Sequence, residues 1–156
     1  YLTKTMRGLM GGAVESALNR YVFGKPLVAL FVGVVITFLI HSSSVTTSLM
    51  VPLVTAGVLT LEQVFPYTLG ANIGTTLTAL CAAIGTGRPD AVAIALTHTL
   101  FNTIGVALIF PIRRIRGIPI FLARRLAALT LRSRWYALAY ILITFFLIPC
   151  IFIFLW

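Results

Sequence analysis

The feature that most constrains this chain is an apolar, charge-free segment, residues 26–61, with a dense run of hydroxyl side chains in its middle. As one helix this segment would be roughly 54 Å long, against a membrane hydrocarbon core of about 30 Å. The hydroxyl run, residues 42–48, divides it into limbs 26–40 and 45–61. Each limb is a little too short to cross a membrane alone. The pattern therefore predicts two short helices that meet at a polar tip inside the membrane.

The rest of the chain is also typical of a membrane protein. Mean hydropathy is +1.06, and 10% of the residues are charged. Further charge-free stretches at 63–87, 91–112 and 135–156 are each long enough for a spanning helix. Because none alternates with period two, we predict an all-α, multi-pass integral membrane protein. Residues 1–25 are predicted to be an amphipathic interfacial lead-in, and 26–156 a transmembrane repeat.

The basic residues are concentrated between two of these stretches. The net charge is +9, and seven of the twelve basic residues fall within 113–134, namely Arg113, Arg114, Arg116, Arg124, Arg125, Arg132 and Arg134. By the positive-inside rule this loop is cytoplasmic, where it would contact anionic lipids. Such clustering does not suit a nucleic-acid surface, so no nucleic-acid partner is expected.

The polar tip has two interpretations. Ser42, Ser43 and Ser44 precede an apolar run, so one of them can cap the second limb and leave backbone amides free. A helix N-terminus with free amides and nearby hydroxyls attracts anions. Alternatively, the hydroxyls are ordinary small residues at a helix–helix contact.

Two later stretches carry polar residues at helical spacing. Asn72, Thr75 and Thr76 occupy positions i, i+3 and i+4 of one predicted helix, which places them on one face. His98 and Asn102 are four residues apart on the next helix and are expected to share a face. Either set could pack helices or line a site, but an amide is costly in lipid and should face a partner or a cavity.

The acidic residues limit the chemistry of such a site. All three, Glu15, Glu62 and Asp90, lie outside the hydroxyl-rich segments. Sites for Ca²⁺, transition metals or a carboxylate proton relay are therefore not expected. Neutral oxygens suit a monovalent cation such as Na⁺, which would have to accompany a multivalent anion because the site has no Lys or Arg. No carboxylate is placed to orient His41 as a catalytic base, so we predict no enzyme activity and no cofactor.

Three ordered motifs resemble the second repeat of the type II sodium/phosphate cotransporter family. They are His41-Ser-Ser-Ser-Val-Thr-Thr-Ser48, Tyr67-Thr-Leu-Gly-Ala-Asn-Ile-Gly-Thr-Thr-Leu-Thr-Ala-Leu80 and His98-Thr-Leu-Phe-Asn102. The resemblance implies Na⁺-coupled transport of inorganic phosphate by alternating access. It also implies an inverted-repeat fold, of which this chain would form the C-terminal half with one re-entrant helical hairpin, 26–61, and about three further spanning helices.

The resemblance also implies which residues bind the substrates. Phosphate would be bound by Ser42, Ser43 and Ser44. The coupling ion Na⁺ would be bound by a larger set of neutral side chains: His41, Ser43, Thr46, Thr47, Asn72, Thr75 and Thr76. His98 and Asn102 are expected to hydrogen-bond to these side chains without binding Na⁺ themselves.

Two departures from the family pattern stand out. The family has Gln before the three serines, whereas this chain has His41, so coupling to H⁺ instead of Na⁺ stays open. The chain also has one hairpin motif, and no second copy precedes residue 26. We expect it to pair with the other repeat, either from a missing N-terminal half or from a second chain, in a cell (inner) membrane. A membrane interaction or assembly module and a passive anion channel without ion coupling stay open as alternatives.

Overall fold

The computed structural model of the chain describes residues 17–155, apart from the side chain of Arg113. Most of the predicted lead-in therefore lies outside the described residues. All regular structure within 17–155 is helical, which confirms the prediction of an all-α protein. The chain divides into two compact units, Tyr1–Ile112 and Arg113–Trp156.

The first unit contains four helices after a short π-helical segment, Leu18–Phe23. They are α1 (Pro26–Ile40), α2 (Ser43–Thr55), α3 (Leu61–Gly85) and α4 (Pro89–Ile109). Leu49 interrupts α2 and divides it into Ser43–Ser48 and Met50–Thr55. The second unit contains α5 (Arg113–Arg132) and α6 (Arg134–Phe154), and α6 includes a π-helical turn at Ile143–Leu147.

Three of the described helices, α3, α4 and α6, are long and apolar enough to cross a membrane. Their starts are defined by local chemistry. Thr60 and Gln63 form a reciprocal capping box at the start of α3, and Pro89 occupies the first turn of α4, where its missing N–H costs nothing. Ser133 caps α6 by accepting a hydrogen bond from the Trp135 amide at 3.4 Å. Each helix begins within two residues of the charge-free stretch that predicted it.

Helices α1 and α3 pack with their backbones in direct contact. A Cβ atom on Gly70 would overlap the Leu30 carbonyl oxygen, and one on Gly74 would lie 2.6 Å from the Val34 carbonyl oxygen. Gly33 meets the Tyr67 carbonyl in the same way. Small residues at such crossings let membrane helices approach closely. Because later residues of α1 meet later residues of α3, the two helices run parallel.

Helix α3 is packed on two sides. Thr76 lies two residues, about 200° of helical rotation, from Gly74, so it faces away from α1. There its carbonyl oxygen accepts a hydrogen bond from the Thr99 hydroxyl of α4 at 3.2 Å. Ala95 and Thr99, one turn apart on α4, are both buried. The first unit is thus built around α3, with α1 on one side and α4 on the other.

The hairpin formed by α1 and α2 is closed at its base. Leu53, near the end of α2, belongs to the same buried cluster as Phe23 and Ala29, near the start of α1. A polar group lies beside this cluster: the Asn19 side chain donates to the Val58 carbonyl at 2.8 Å and accepts from Gln63 at 2.8 Å. This Asn19–Gln63 clamp fixes the loop after α2 to the start of α3.

The second unit contains a corner between its two helices. Ser133 has an extended backbone (φ −159°, ψ 136°), which ends α5 and lets α6 leave in another direction. The exposed Trp135 follows in the first turn of α6.

Candidate functional site

The tip of the hairpin is a two-residue turn. Helix α1 ends at His41, which has a left-handed backbone conformation (φ 62°) and donates its N–H to the Thr37 carbonyl at 2.8 Å. Ser42 is extended, and its hydroxyl oxygen accepts a hydrogen bond from the Val45 amide at 3.3 Å. Ser42 is therefore the residue that caps the second limb, as one of the three serines was predicted to do.

The first amides of α2 point out of this turn. The N–H groups of Ser43 and Ser44 have no hydrogen-bond acceptor among the described residues. Ser43 is half-buried, and Ser44 is exposed. Free amides at a helix start, next to two serine hydroxyls, can bind an oxyanion.

Behind the turn, a buried polar cluster joins α1, α2 and α3. The hydroxyls of Thr37 and Thr46 are 2.9 Å apart, and both residues are 0% exposed. Thr46 also donates to the Ser43 carbonyl at 3.0 Å, so in that arrangement Thr37 is the donor between the two hydroxyls. The Tyr67 hydroxyl donates to the Thr46 carbonyl at 3.5 Å. Thr46 therefore holds the tip in place from its buried side.

Thr47 lies on the more open side of the same helix. It is half-buried, and its hydroxyl donates to the Ser43 carbonyl at 2.7 Å. Because the hydroxyl proton is used by that carbonyl, the oxygen lone pairs stay free to accept a hydrogen bond or bind a cation. His41, Ser42, Ser43, Ser44, Thr46 and Thr47 are thus together at the tip.

The polar residues predicted on α3 share one side of the helix but differ in their surroundings. Thr75 is half-buried and donates to the Ala71 carbonyl at 3.1 Å, whereas Asn72 is exposed. Thr76 is 1% exposed and lies on the side that contacts α4. The structure therefore brings Thr75 closer than Thr76 to the side of α3 that packs on the hairpin.

The two polar residues predicted on α4 also differ in environment. Asn102 is half-buried and lies three residues after Thr99, on the side that contacts α3. His98 is exposed, next to Thr97 and Phe101 around an open surface depression. The pair therefore does not lie in one common environment.

Sequence reasoning assigned no role to two threonines on the helices of the first unit, Thr37 and Thr78. Thr37 was hidden in an apolar run, although it completes a row of small residues, Ala29, Gly33 and Thr37, four residues apart. Thr78 follows Gly74 by four residues on the hairpin-facing side of α3 and donates to the Gly74 carbonyl at 2.9 Å. Each threonine lies four residues after a glycine, Thr37 after Gly33 and Thr78 after Gly74, and this spacing could have indicated that it shares the glycine's packed face.

The tip, residues 41–48, has no lysine, arginine, aspartate or glutamate. Among residues 17–155 no group of three His, Cys, Asp or Glu side chains could hold a metal ion. The tip offers hydroxyl oxygens, carbonyl oxygens and amide N–H groups. Such groups can bind an alkali cation and an oxyanion.

These features define a multi-pass α-helical membrane protein with a polar helical hairpin. The chain belongs to the Na⁺/Pi-cotransporter family, whose model matches residues 1–152. This confirms the family resemblance predicted from the three motifs. Members of that family are transporters and not enzymes, in agreement with the prediction of no enzyme activity.

The chain is similar to several sodium-dependent phosphate transport proteins. Protein 2C of Rattus norvegicus is 42% identical over 95% of this chain and 26% of the relative. Protein 2B of Homo sapiens is 45% identical over 95% of this chain and 22% of the relative, and protein 2A of Ovis aries is 38% identical over 95% and 25%. The chain thus spans about a quarter of the length of these relatives. No solved structure matches it significantly.

Proposed function

We propose that this chain is one repeat, the C-terminal half, of a transporter that couples the uptake of inorganic phosphate to Na⁺. Its family is described as a Na⁺/Pi-cotransporter, and its relatives are named as sodium-dependent phosphate transport proteins. The proposed location is the cell (inner) membrane, with the arginine-rich segment in the cytoplasm by the positive-inside rule.

The observation that carries this proposal is the depth of the hairpin tip. Helix α3 has 25 residues and is about 37 Å long, so Gly74 lies roughly 20 Å from its start. Since α1 runs parallel to α3 and Thr37 meets Gly74, the tip lies just beyond the middle of a helix long enough to span the membrane. This supports a re-entrant hairpin whose polar tip ends inside the membrane, where irregular backbone must be buried or line a cavity.

Phosphate is the anion proposed for the tip, with Ser42, Ser43 and Ser44 as its ligands. The free amides of Ser43 and Ser44 favour this assignment, because N–H groups at a helix start bind phosphate oxygens. No lysine or arginine lies within α1 or α2. Accompanying cations therefore have to balance the charge of the anion.

Na⁺ is the proposed accompanying cation, held by neutral atoms of His41, Ser43, Thr46, Thr47, Asn72, Thr75 and Thr76. The free lone pairs of Thr47 and Thr75 favour a direct role, since each hydroxyl proton is already donated to a backbone carbonyl. For Thr46 and Thr76, which are buried in contacts with α1 and α4 and whose carbonyl oxygens already accept hydrogen bonds from Tyr67 and Thr99, a supporting role is more consistent with the geometry. His98 and Asn102 would support the site through α4.

The other repeat of the transporter is the proposed protein partner. The exposed amide of Asn72 and the exposed imidazole of His98 lie on helices long enough to span the membrane. Polar side chains are costly in lipid, so a second repeat, in the same protein or in a second chain, would cover them. Movement of the two repeats against each other would give alternating access to the tip.

Uptake of labelled phosphate into proteoliposomes tests this function. For the transporter reconstituted with both repeats, we expect uphill uptake with an inward Na⁺ gradient and none with a proton gradient or with choline in place of Na⁺. Ser43→Ala should abolish uptake, whereas Ser48→Ala, an exposed hydroxyl on the same helix, should leave it intact. Downhill flux without a Na⁺ requirement would indicate a passive channel. Loss of folded Ser43→Ala protein would favour a packing module, and H⁺-driven uptake would overturn the choice of Na⁺.

A further inference from the structure

Helix α5 has two faces of opposite character. Its larger apolar side chains recur at intervals of three and four residues, which places them on one side of the helix: Ile115, Ile118, Leu122, Leu126 and Leu129. We call these five residues the apolar stripe. Arg116 and Arg124 lie on the opposite side of the helix, whereas Arg114, Arg125 and Arg132 flank the apolar stripe along one of its edges.

The apolar stripe is uncovered in the second unit. Ile118 is 56% exposed and Leu122 is 59% exposed, although both belong to a strongly amphipathic helix. Exposed apolar surface of this length on one helix marks an interaction site. Helix α5 itself does not qualify as a spanning segment, since its arginines would have to enter the hydrocarbon core.

The neighbouring helix indicates what covers the stripe. Helix α6 is apolar enough to span the membrane and begins two residues after α5 ends. The extended Ser133 allows α5 to turn at this point, and the exposed Trp135 beside it is the residue type that anchors helices at the membrane surface. The end of α5 is therefore held at the level of the lipid headgroups.

The arginines add charge complementarity to this placement. Arg114, Arg125 and Arg132 are exposed, and the Arg125 guanidinium lies 5.1 Å from the centre of the Phe121 ring. A stacked guanidinium keeps its donors available for a phosphate group while its carbon stem covers apolar surface. Basic clusters on amphipathic helices bind anionic lipids.

We propose that α5 lies in the plane of the membrane surface, with its apolar stripe among the acyl chains and its arginines bound to the phosphate groups of anionic phospholipids. This surface belongs to the second unit, and its proposed role does not depend on transport. It would fix the height of α6 in the membrane through the corner at Ser133.

Depth-dependent quenching tests the placement of the stripe. The full chain, with Cys81→Ser and Cys150→Ser, is reconstituted into vesicles of phosphatidylcholine and phosphatidylglycerol. A fluorophore is attached at Leu122→Cys or, as the control on the arginine side, at Ala128→Cys. Brominated acyl chains should quench the label at position 122, and aqueous iodide should quench the label at 128. Quenching of position 122 by iodide would place the stripe in water, and quenching by neither reagent would place it against protein, so either result overturns the proposal.

Lipid selectivity tests the role of the arginines. Spin-labelled phosphatidylglycerol should associate with the reconstituted chain more strongly than spin-labelled phosphatidylcholine. Arg125→Gln should lower that preference up to about fivefold, and Arg125→Lys should retain most of it, because the effect depends on charge near the surface. Arg88→Gln, with the same loss of charge outside α5, should change it much less. An unchanged preference in Arg125→Gln, or an equal loss in Arg88→Gln, would refute headgroup binding by α5.

Discussion

His41 shows how one backbone conformation shapes the tip. It is the one described non-glycine residue with positive φ. We predict that His41→Val destabilises the folded chain by about 1–2 kcal/mol relative to His41→Gly, because a β-branched side chain is strained in the left-handed region. Thermal unfolding of both variants in detergent measures the difference. Equal stability would show that the turn relaxes to another conformation.

The Thr37–Thr46 hydroxyl pair should behave as a coupled unit. Thr37→Val and Thr46→Val each remove one member of a buried hydrogen bond. We expect each to cost about 0.6 kcal/mol, up to ~1.7 kcal/mol, which is the range of hydrogen bonds between membrane helices. The double variant should cost less than the sum, as measured by a double-mutant cycle of unfolding free energies. Strict additivity would argue against a direct bond between the two hydroxyls.

Single residues also mark the limit of prediction from sequence. The capping role of a serine at the tip followed from its position before an apolar run. The hydrogen-bond partner of Thr46 could not be predicted, because the periodicity of one helix does not reveal which other helix it contacts. Asn72, Thr75 and Thr76 share one face of α3, as their spacing predicted, but the sequence did not reveal that α3 has neighbours on two sides, which gives these residues different environments.

At the scale of helices, the contact between α1 and α3 depends on glycine. A Cβ atom on Gly70 would overlap the Leu30 carbonyl, whereas one on Gly105 of α4 would meet nothing within 4 Å. We predict that Gly70→Ala destabilises the protein by about 1–3 kcal/mol, as overpacking does. Gly105→Ala should be neutral or slightly stabilising, because alanine favours helix. Denaturation in mixed micelles compares the two, and equal stability would show that the α1–α3 crossing can open at little cost.

The Asn19–Gln63 clamp should hold the base of the hairpin. Asn19→Ala removes the donor to Val58 and the acceptor for Gln63 together. We expect faster amide hydrogen exchange in the loop 56–60 and little change at the tip, because local stability follows local contacts. Thr97→Ala, an exposed threonine on α4, is the matched control. Protection that stays unchanged in Asn19→Ala would mean that apolar packing alone holds this loop.

The helices themselves were largely predictable, since charge-free length and turn residues define them. The first limb begins at Pro26 and ends at Ile40, as the position of the hydroxyl run suggested. The second limb ends at Thr55 and not at residue 61, because Gly57 has positive φ (76°) and opens a loop before the cap at Thr60. The parallel pairing of α1 with α3 was beyond a single sequence, because it depends on contacts between residues about forty positions apart.

For the whole molecule, the order of spanning helices predicts which segments share a side of the membrane. Arg88 precedes α4 and Ser133 precedes α6, and α4 is the spanning helix between them. We therefore expect Arg88→Cys and Ser133→Cys, each with the native cysteines replaced by serine, to react with an impermeant maleimide from opposite sides of intact cells. Labelling of both from one side would show that α4 does not cross.

The family and the membrane class followed from the sequence because both depend on ordered motifs and on hydropathy. The inverted repeat, the re-entrant hairpin and the site residues stay predictions. Each of them depends on a second repeat, which supplies contacts that one chain cannot reveal.

The crossing of α1 and α3 has a mechanical consequence. The backbones of the two helices are in direct contact at Gly33, Gly70 and Gly74, so no side chains lie between them that could rearrange to let one helix slide along the other. The serine-rich turn cannot rise or sink alongside its neighbour. A conformational change that moves this turn through the bilayer must therefore move α1 and α3 together as a rigid body.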